Sequence, residues 1–263
     1  MNVVTILGSG TSTGIPILGC KCDVCNSTNP ANLRLRTSVF LTTALGKNIL
    51  VDTTPDLRSQ LLQHKPDSID AVIMTHDHAD HTHGIDDLRP YSLYQNKDLP
   101  LYCSPETAAS IRRKFDYIFS PKPVIGGGIP QLKLIEVPLG LLSIEQEDFE
   151  FFSLPHGRVH TTGFRHRSLA YLIDCHDVPI EVCERLKEMK LDWLIIDCVK
   201  PSPHDTHLGY DKTIEIIKKI QPLRAGLIHM GHEWDHDQLQ LRLQRDGLLE
   251  AVPLKDGDIL QYR

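Results

Sequence analysis

The stretch Thr75-His76-Asp77-His78-Ala79-Asp80-His81 decides how this chain of 263 residues is read. It places four candidate metal ligands, His76, His78, Asp80 and His81, within six consecutive positions. It follows the apolar run Ala71-Val72-Ile73-Met74 and leads into Gly84. A short apolar run bounded by polar residues predicts a buried strand, so the histidines fall where a strand ends and loops collect chemistry. Imidazole suits zinc, iron, nickel and copper, and a carboxylate admits manganese as well. One tetrahedral ion cannot comfortably take all four groups from so short a loop. The spacing therefore points to two ions sharing the segment. A polar turn that happens to be His-rich is the bland alternative, and four ligand-type residues at fixed positions argue against it.

Around this motif, short apolar segments of strand length recur: Val3–Leu7, Ser38–Leu41, Ile49–Val51, Leu132–Val137, Phe149–Leu154, Ala170–Ile173, Leu194–Ile196, Ala225–Ile228 and Asp258–Tyr262. Gly46-Lys47 and His166-Arg167-Ser168 suggest hairpins. Helical patterns are predicted over Pro55–Gln63, Pro105–Phe115, Pro179–Met189, Tyr210–Ile220 and His236–Arg245. Strands and helices interleave, yet several strands run consecutively, which suits an α/β chain of two mixed β-sheets with helices outside. With no repeat, low-complexity tract or linker, residues 1–263 are expected to form a single domain.

Composition narrows the function. Hydrophobic residues make up 41% and charged residues 24%, which excludes a disordered chain, a fibre and a coiled coil. The 28 basic and 34 acidic side chains give −6, against a general binder of long nucleic acid. MNVVTILGSG carries no basic leader region and no apolar stretch reaches membrane length, so a cytoplasmic protein without a membrane partner is expected. The 14 histidines and 7 cysteines are the unusual feature of the composition.

Three of the cysteines, Cys20, Cys22 and Cys25, form C-x-C-x-x-C in a loop at about 19–26. Without an export signal, a metal clip is expected over a disulfide framework. Three thiolates at this spacing want a fourth ligand for a closed tetrahedral zinc. The preceding turn, Gly8-Ser9-Gly10-Thr11-Ser12-Thr13-Gly14, does not match G-x-G-x-x-G. It is expected to bring backbone N–H groups near the metal site rather than to bind a dinucleotide.

The HxHxDH motif after a buried strand resembles the metallo-β-lactamase superfamily, and with the cysteine cluster it resembles the PhnP-like phosphodiesterase subgroup, which is related to PqqB. The resemblance runs from Leu7 to His232. It implies an αββα sandwich with a dinuclear site at one edge: His76, His78 and His156 on one divalent ion, Asp80, His81 and His229 on the other, and Asp174 touching both. Asp177 is the nearby rival to Asp174. The ions would be zinc or manganese, and His232 would complete a structural zinc with Cys20, Cys22 and Cys25. His207, 22 residues before His229, matches the family's general acid, with His204 as its rival. Asp52 matches a buried Asp that supports the metal loop.

What the resemblance implies is a phosphodiesterase for a small cyclic phosphodiester or a nucleotide-like ester, attacking with a water shared by the two ions, and a possible homodimer. The alternatives are a PqqB-like binding or biosynthetic protein that retains only the structural zinc, and a nuclease of the same superfamily. The Asp197–His207 segment is shorter than the subgroup's pattern, which leaves the substrate open.

Overall fold

The computed structural model describes residues 1–120 and 128–263. Its strands are β1 (Asn2–Gly8), β2 (Ser38–Thr42), β3 (Asn48–Val51), β4 (Ala71–Ile73), β5 (Leu99–Cys103), β6 (Leu132–Glu136), β7 (Gly140–Ile144), β8 (Glu147–His156), β9 (Val159–His166), β10 (Leu169–Leu172), β11 (Trp193–Asp197), β12 (Arg224–Ile228), β13 (Ala251–Pro253) and β14 (Ile259–Tyr262). The helices are α1 (Leu57–His64), α2 (Ala79–Thr82), α3 (Arg89–Gln95), α4 (Pro105–Lys114), α5 (Asp116–Phe119), α6 (Ile180–Glu188), α7 (Tyr210–Ile220) and α8 (His236–Arg245).

Two mixed sheets form, in the orders β14-β1-β2-β3-β4-β5-β6 and β13-β12-β11-β10-β9-β8-β7. The period-two alternation of strand side chains dictates how they stack. In β3, Ile49 and Val51 face the second sheet, while Leu50 faces the helices. Val39 and Leu41 in β2 alternate with Phe40 in the same way, and so do Ala71 and Ile73 with Val72 in β4. In the second sheet, Trp193 and Ile195 join the inter-sheet core, whereas Leu194 and Ile196 pack under the outer helices. Strands apolar on both faces need cover on both sides. α1 and α4 cover the first sheet, and α6, α7 and α8 cover the second. The result is the expected layering, helix, sheet, sheet, helix.

Strands β3 to β6 run parallel, as do β10 to β13. Their C-terminal ends therefore open on one edge, where in parallel sheets ligands commonly bind. The segments after β3, β4, β10 and β12 carry Asp52, the His motif, Asp174 and His229, and β8 and β11 end on His156 and Asp197.

Long-range bonds close the chain on itself. β1 pairs with β14. The half-buried Asp256 carboxylate accepts from Ser9 N at 2.8 Å, Ser9 Oγ at 2.7 Å and Leu35 N at 2.7 Å. Among the described residues, no helix is long and apolar enough to cross a membrane.

The His motif differs from expectation in one respect. Its second half is not loop but the short helix α2, with His78 extended at its N-cap position. Gly84 ends that segment, donating its N–H to Thr53 O at 2.9 Å. A Cβ on Gly84 would lie 2.0 Å from the Thr54 carbonyl oxygen, so only glycine lets the two backbones meet. Gly84→Ala is expected to cost about 1–3 kcal/mol or more, read as a lower urea midpoint; an unchanged midpoint would contradict this packing.

Candidate metal centre

The motif side chains are organised from below. Asp52 ends β3 in a left-handed conformation, φ 63°, and its side chain is fully buried. It accepts from Thr75 N at 2.8 Å and Thr75 Oγ1 at 2.8 Å, and pairs with His81 Nδ1 at 2.7 Å. One carboxylate therefore fixes both the start of the motif and the ring of His81. Fixing one ring nitrogen turns the other outward, the usual way a ligand imidazole is oriented.

Two clusters result. Candidate ligand atoms of His76, His78 and His156 lie within 4.8 Å of one another, with His156 Nε2 3.3 Å from His78 Nδ1. His156 Nδ1 is held by the Thr206 carbonyl at 2.8 Å. Beside them, His81 Nε2 lies 3.1 Å from Asp80 Oδ2 and 3.3 Å from Asp174 Oδ2. His229 Nε2 lies 3.3 Å from Asp174 Oδ1. His229 Nδ1 is fixed by Thr37 Oγ1 at 3.0 Å, and Thr11 Oγ1 stands 3.2 Å from its Nε2. Asp174 thus sits between the two groups. Asp177 turns away and pairs with Lys212 at 3.1 Å.

Electrostatics mark the centre as incomplete without cations. Burial lowers His76 and His229 well below the usual imidazole range, and lowers His156 to about 4. Burial raises Asp174 to about 7. Burial opposes charge on His81 too, but Asp174, Asp52 and Asp80 outweigh it and raise that group. His76 Nε2, His81 Nε2 and Asp174 Oδ2 are buried without any hydrogen-bond partner. Buried polar atoms are rarely left so. Lone pairs of nitrogen and oxygen converging in a buried space fit divalent cations.

His207 adjoins this group. Its Nδ1 lies 3.0 Å from Asp197 Oδ2 and 3.7 Å from Asp174 Oδ1. Burial works against a charged ring there, yet Asp197, helped by Asp174 and Asp80, raises it to about 9. Its rival His204 lacks such a carboxylate. The His204 ring accepts from Thr206 N at 3.2 Å and stands 5.1 Å from the His207 ring. His207 lines a cavity of about 420 Å³ with Ser12, His78, Asp80, His156 and Asp174.

At the N-terminal loop, Cys20, Cys22 and Cys25 Sγ lie 3.3, 3.6 and 3.7 Å from His232 Nδ1. The Cys25 N–H donated to Cys22 Sγ helps lower that thiol to about 7. Buried Arg34 ties the neighbouring backbone, donating to Gly231 O at 3.1 Å and Trp234 O at 2.9 Å.

The glycine-rich turn runs beside the metal centre. The N–H groups of Gly10 and Thr11 go to Leu35 O and Met230 O. What the turn offers the site is the Thr11 hydroxyl and Ser12. Asp197, Thr37 and the Thr206 carbonyl are the supports that the sequence reading missed. Only Asp197 had a signal there: like Asp52 and Asp174, it is an acid at the end of an apolar run.

A family model, the beta-lactamase superfamily domain, matches residues 47–230. A Porphyromonas gingivalis protein named octanoyltransferase is 37% identical over 229 residues, 86% of this chain and 45% of that protein. Coenzyme PQQ synthesis protein B of Methylobacterium radiotolerans is 34% identical over 114 residues, 36% of this chain and 38% of its own. The chain spans less than half the length of these curated relatives. Among solved structures, a diphosphatase from the PhnP family is 34% identical, with TM-score 0.89 over 98% of this chain and 96% of that one. Zinc-bound PqqB from Methylobacterium extorquens shares the fold at 19% identity and TM-score 0.77, over 99% of this chain and 100% of its own. Matched through the family model and along nearly its full length by the PhnP-family structure, the chain belongs to the metallo-β-lactamase superfamily, in its PhnP-like branch.

Proposed function

We propose that this chain is a metal-dependent hydrolase that cleaves a phosphorus–oxygen bond at a doubly substituted phosphate, a phosphodiester or a diphosphate, in a small nucleotide-like molecule. The proposal rests above all on the buried Nε2 of His76, which makes no hydrogen bond, and on Nε2 of His81 and Oδ2 of Asp174, which face each other at 3.3 Å without one, beside an imidazole paired with Asp197. The diphosphatase activity in the name of the PhnP-family relative adds the diphosphate to the substrate classes. His76, His78 and His156 would hold one divalent ion and Asp80, His81 and His229 a second, with Asp174 shared. When bound, such ions act as Lewis acids and make water acidic enough to serve as a nucleophile near neutral pH.

The side chains of the chain do the rest. Asp52, Thr37 and the Thr206 carbonyl hold the ligand rings in place, so little reorganisation accompanies the reaction. Water attacks phosphorus and the bond to the leaving oxygen breaks. His207, protonated and oriented through Nδ1–H to Asp197, gives that oxygen its proton. The Cys20-Cys22-Cys25-His232 group would take a structural zinc, fixing the N-terminal loop to the segment just beyond His229.

Metal analysis of the purified protein is expected to find about three ions per chain, two of them removed by chelator with loss of phosphodiester hydrolysis. Asp80→Ala should abolish that hydrolysis. A single tight ion, or full activity in the variant, overturns the assignment.

The acid role has a pH signature. A catalytic acid must be protonated, so its pKa sets the alkaline limb of the rate. Asp197→Asn removes the charge that raises His207, and should move that limb to lower pH. His207→Ala should cost about 10²–10⁴-fold on substrates with poor leaving groups and much less on nitrophenyl esters. Equal losses on both would exclude it as the acid.

Cys22→Ser should lower both zinc content and melting temperature, since a structural zinc contributes directly to folding. An unchanged melting temperature would argue against a structural clip.

A further inference from the structure

A larger cavity of about 640 Å³ lies beside the metal centre, within the range of roughly 300–1,000 Å³ typical of ligand pockets. It sits at the same edge of the sheets, between α4, the segment after β6 and the tip of the β8–β9 hairpin. Arg158 and Val159 line both this cleft and the smaller cavity at the metal centre. The two spaces therefore share a wall, and that wall begins two residues after His156.

Both sides of the cleft are fastened to the His motif. On one side, Asp77, the non-ligand residue between His76 and His78, accepts from Ser110 Oγ at 2.5 Å and pairs with Lys114 at 3.0 Å. Ser110 and Lys114 belong to α4, so the motif anchors that helix. On the other side, Thr162 N in β9 donates to the Thr75 carbonyl at 2.9 Å. The tight hairpin, His156 opposite Val159 with Gly157 at φ 59°, then carries Arg158 to the tip. Each wall thus stands at a fixed distance from the ligand rings. That is what a substrate held in two places requires.

The lining has a definite chemistry. Arg158 is exposed and makes no hydrogen bond or ion pair among the described residues. Arg113 and His160 line the same space, and among the described residues Arg113 has only Ser110 Oγ, at 3.1 Å, as a hydrogen-bond partner. The apolar lining is Leu139, 67% exposed, with Val137, 6% exposed, behind it in sequence. The carboxylate of Asp77 is already engaged, which leaves that of Glu106 facing the cleft. Guanidinium suits a phosphate, a carboxylate suits a pair of sugar hydroxyls, and an apolar wall suits a flat ring.

We propose that this cleft is the subsite for the non-reacting part of the substrate, a nucleoside monophosphate unit, and that Arg158 is its specificity-determining cation. The subsite rests on the hydrolase function proposed above and narrows it. The scissile phosphate lies at the metal centre, and the nucleoside unit extends past the hairpin tip into the cleft.

Adenosine 5′-monophosphate is the probe, titrated by calorimetry into protein from which chelator has removed the two labile ions and which keeps the structural zinc, so that the readout does not depend on turnover. Arg158→Gln is expected to weaken binding about tenfold or more, and Arg158→Lys to restore part of the loss. No binding to the wild-type protein, or equal binding to wild type and Arg158→Gln, overturns the proposal. Circular dichroism confirms that the variants are folded. With metal restored, Arg158→Gln should raise KM for a nucleoside diphosphate substrate at least tenfold more than for bis(4-nitrophenyl) phosphate; equal changes also overturn it. Wild-type turnover of bis(4-nitrophenyl) phosphate tests the hydrolase reading separately. If that ester is not hydrolysed while Arg158-dependent binding is present, the reaction fails and the subsite stands; the reverse result removes the subsite alone.

Discussion

The carboxylate of Asp52 is the constraint on which the site depends. It is buried with no solvent to share its charge, so its three partners must be supplied by the fold. They are the backbone and hydroxyl of Thr75 and the ring of His81, the two ends of the His motif. Because one group satisfies all three, β3, β4 and α2 are locked in a single arrangement. A buried charge leaves little room for alternatives: a partial solution strands it unpaired, at a cost of several kcal/mol.

The same economy recurs at the neighbouring strand ends. Asp52, Asp174 and His229 adopt left-handed backbone angles of 63°, 52° and 61°. Asp and His tolerate that region better than most residues, yet it still costs roughly 1–3 kcal/mol each. Each follows directly, or after one residue, the last residue of a parallel strand, where ordinary angles would carry the side chain onward past the edge. The positive φ turns it back across the edge, so three strands from two sheets aim at one small volume. The strain accompanies convergence, and the inter-sheet core of Val51, Ile73, Tyr171 and Ile228 holds the strands against it.

Much of this is legible in the sequence. The strands that build the core show as apolar runs because helices cover one face and the other sheet covers the second. Tyr210–Ile220 and His236–Arg245 are legible to the residue: the first buries six side chains along one face, and the second starts behind the Asp235 cap and buries Leu239 and Leu243 one turn apart. β5, β7, β9 and β13 are not: β5 is interrupted by Pro100, β7 is half exposed, β9 mixes its apolar residues with polar ones, and β13 is three residues long and ends in Pro253. α2 is a single turn, too short to show a period. The motif histidines are legible from their spacing alone. His156, Asp174 and His229 stand singly, and need the resemblance to be picked out. Thr37 escapes because its role arises from a pairing across 192 positions that no local pattern encodes, while Asp197 shows as an acid at a strand end but its pairing with His207 does not.

The bond from Asp256 to Ser9 spans 247 positions, and β14 lies against β1. The turn that brings Thr11 and Ser12 beside His229 is held from two directions. Gly10 N and Ile15 N bond to Leu35 O and Arg34 O, while Thr11 N bonds to Met230 O. Asp256 then ties Ser9 and Leu35 together next to the β1–β14 seam. A disturbance at that seam therefore reaches the Thr11 hydroxyl through a continuous run of backbone bonds, and the outer edge of the sheet becomes a lever on the metal centre.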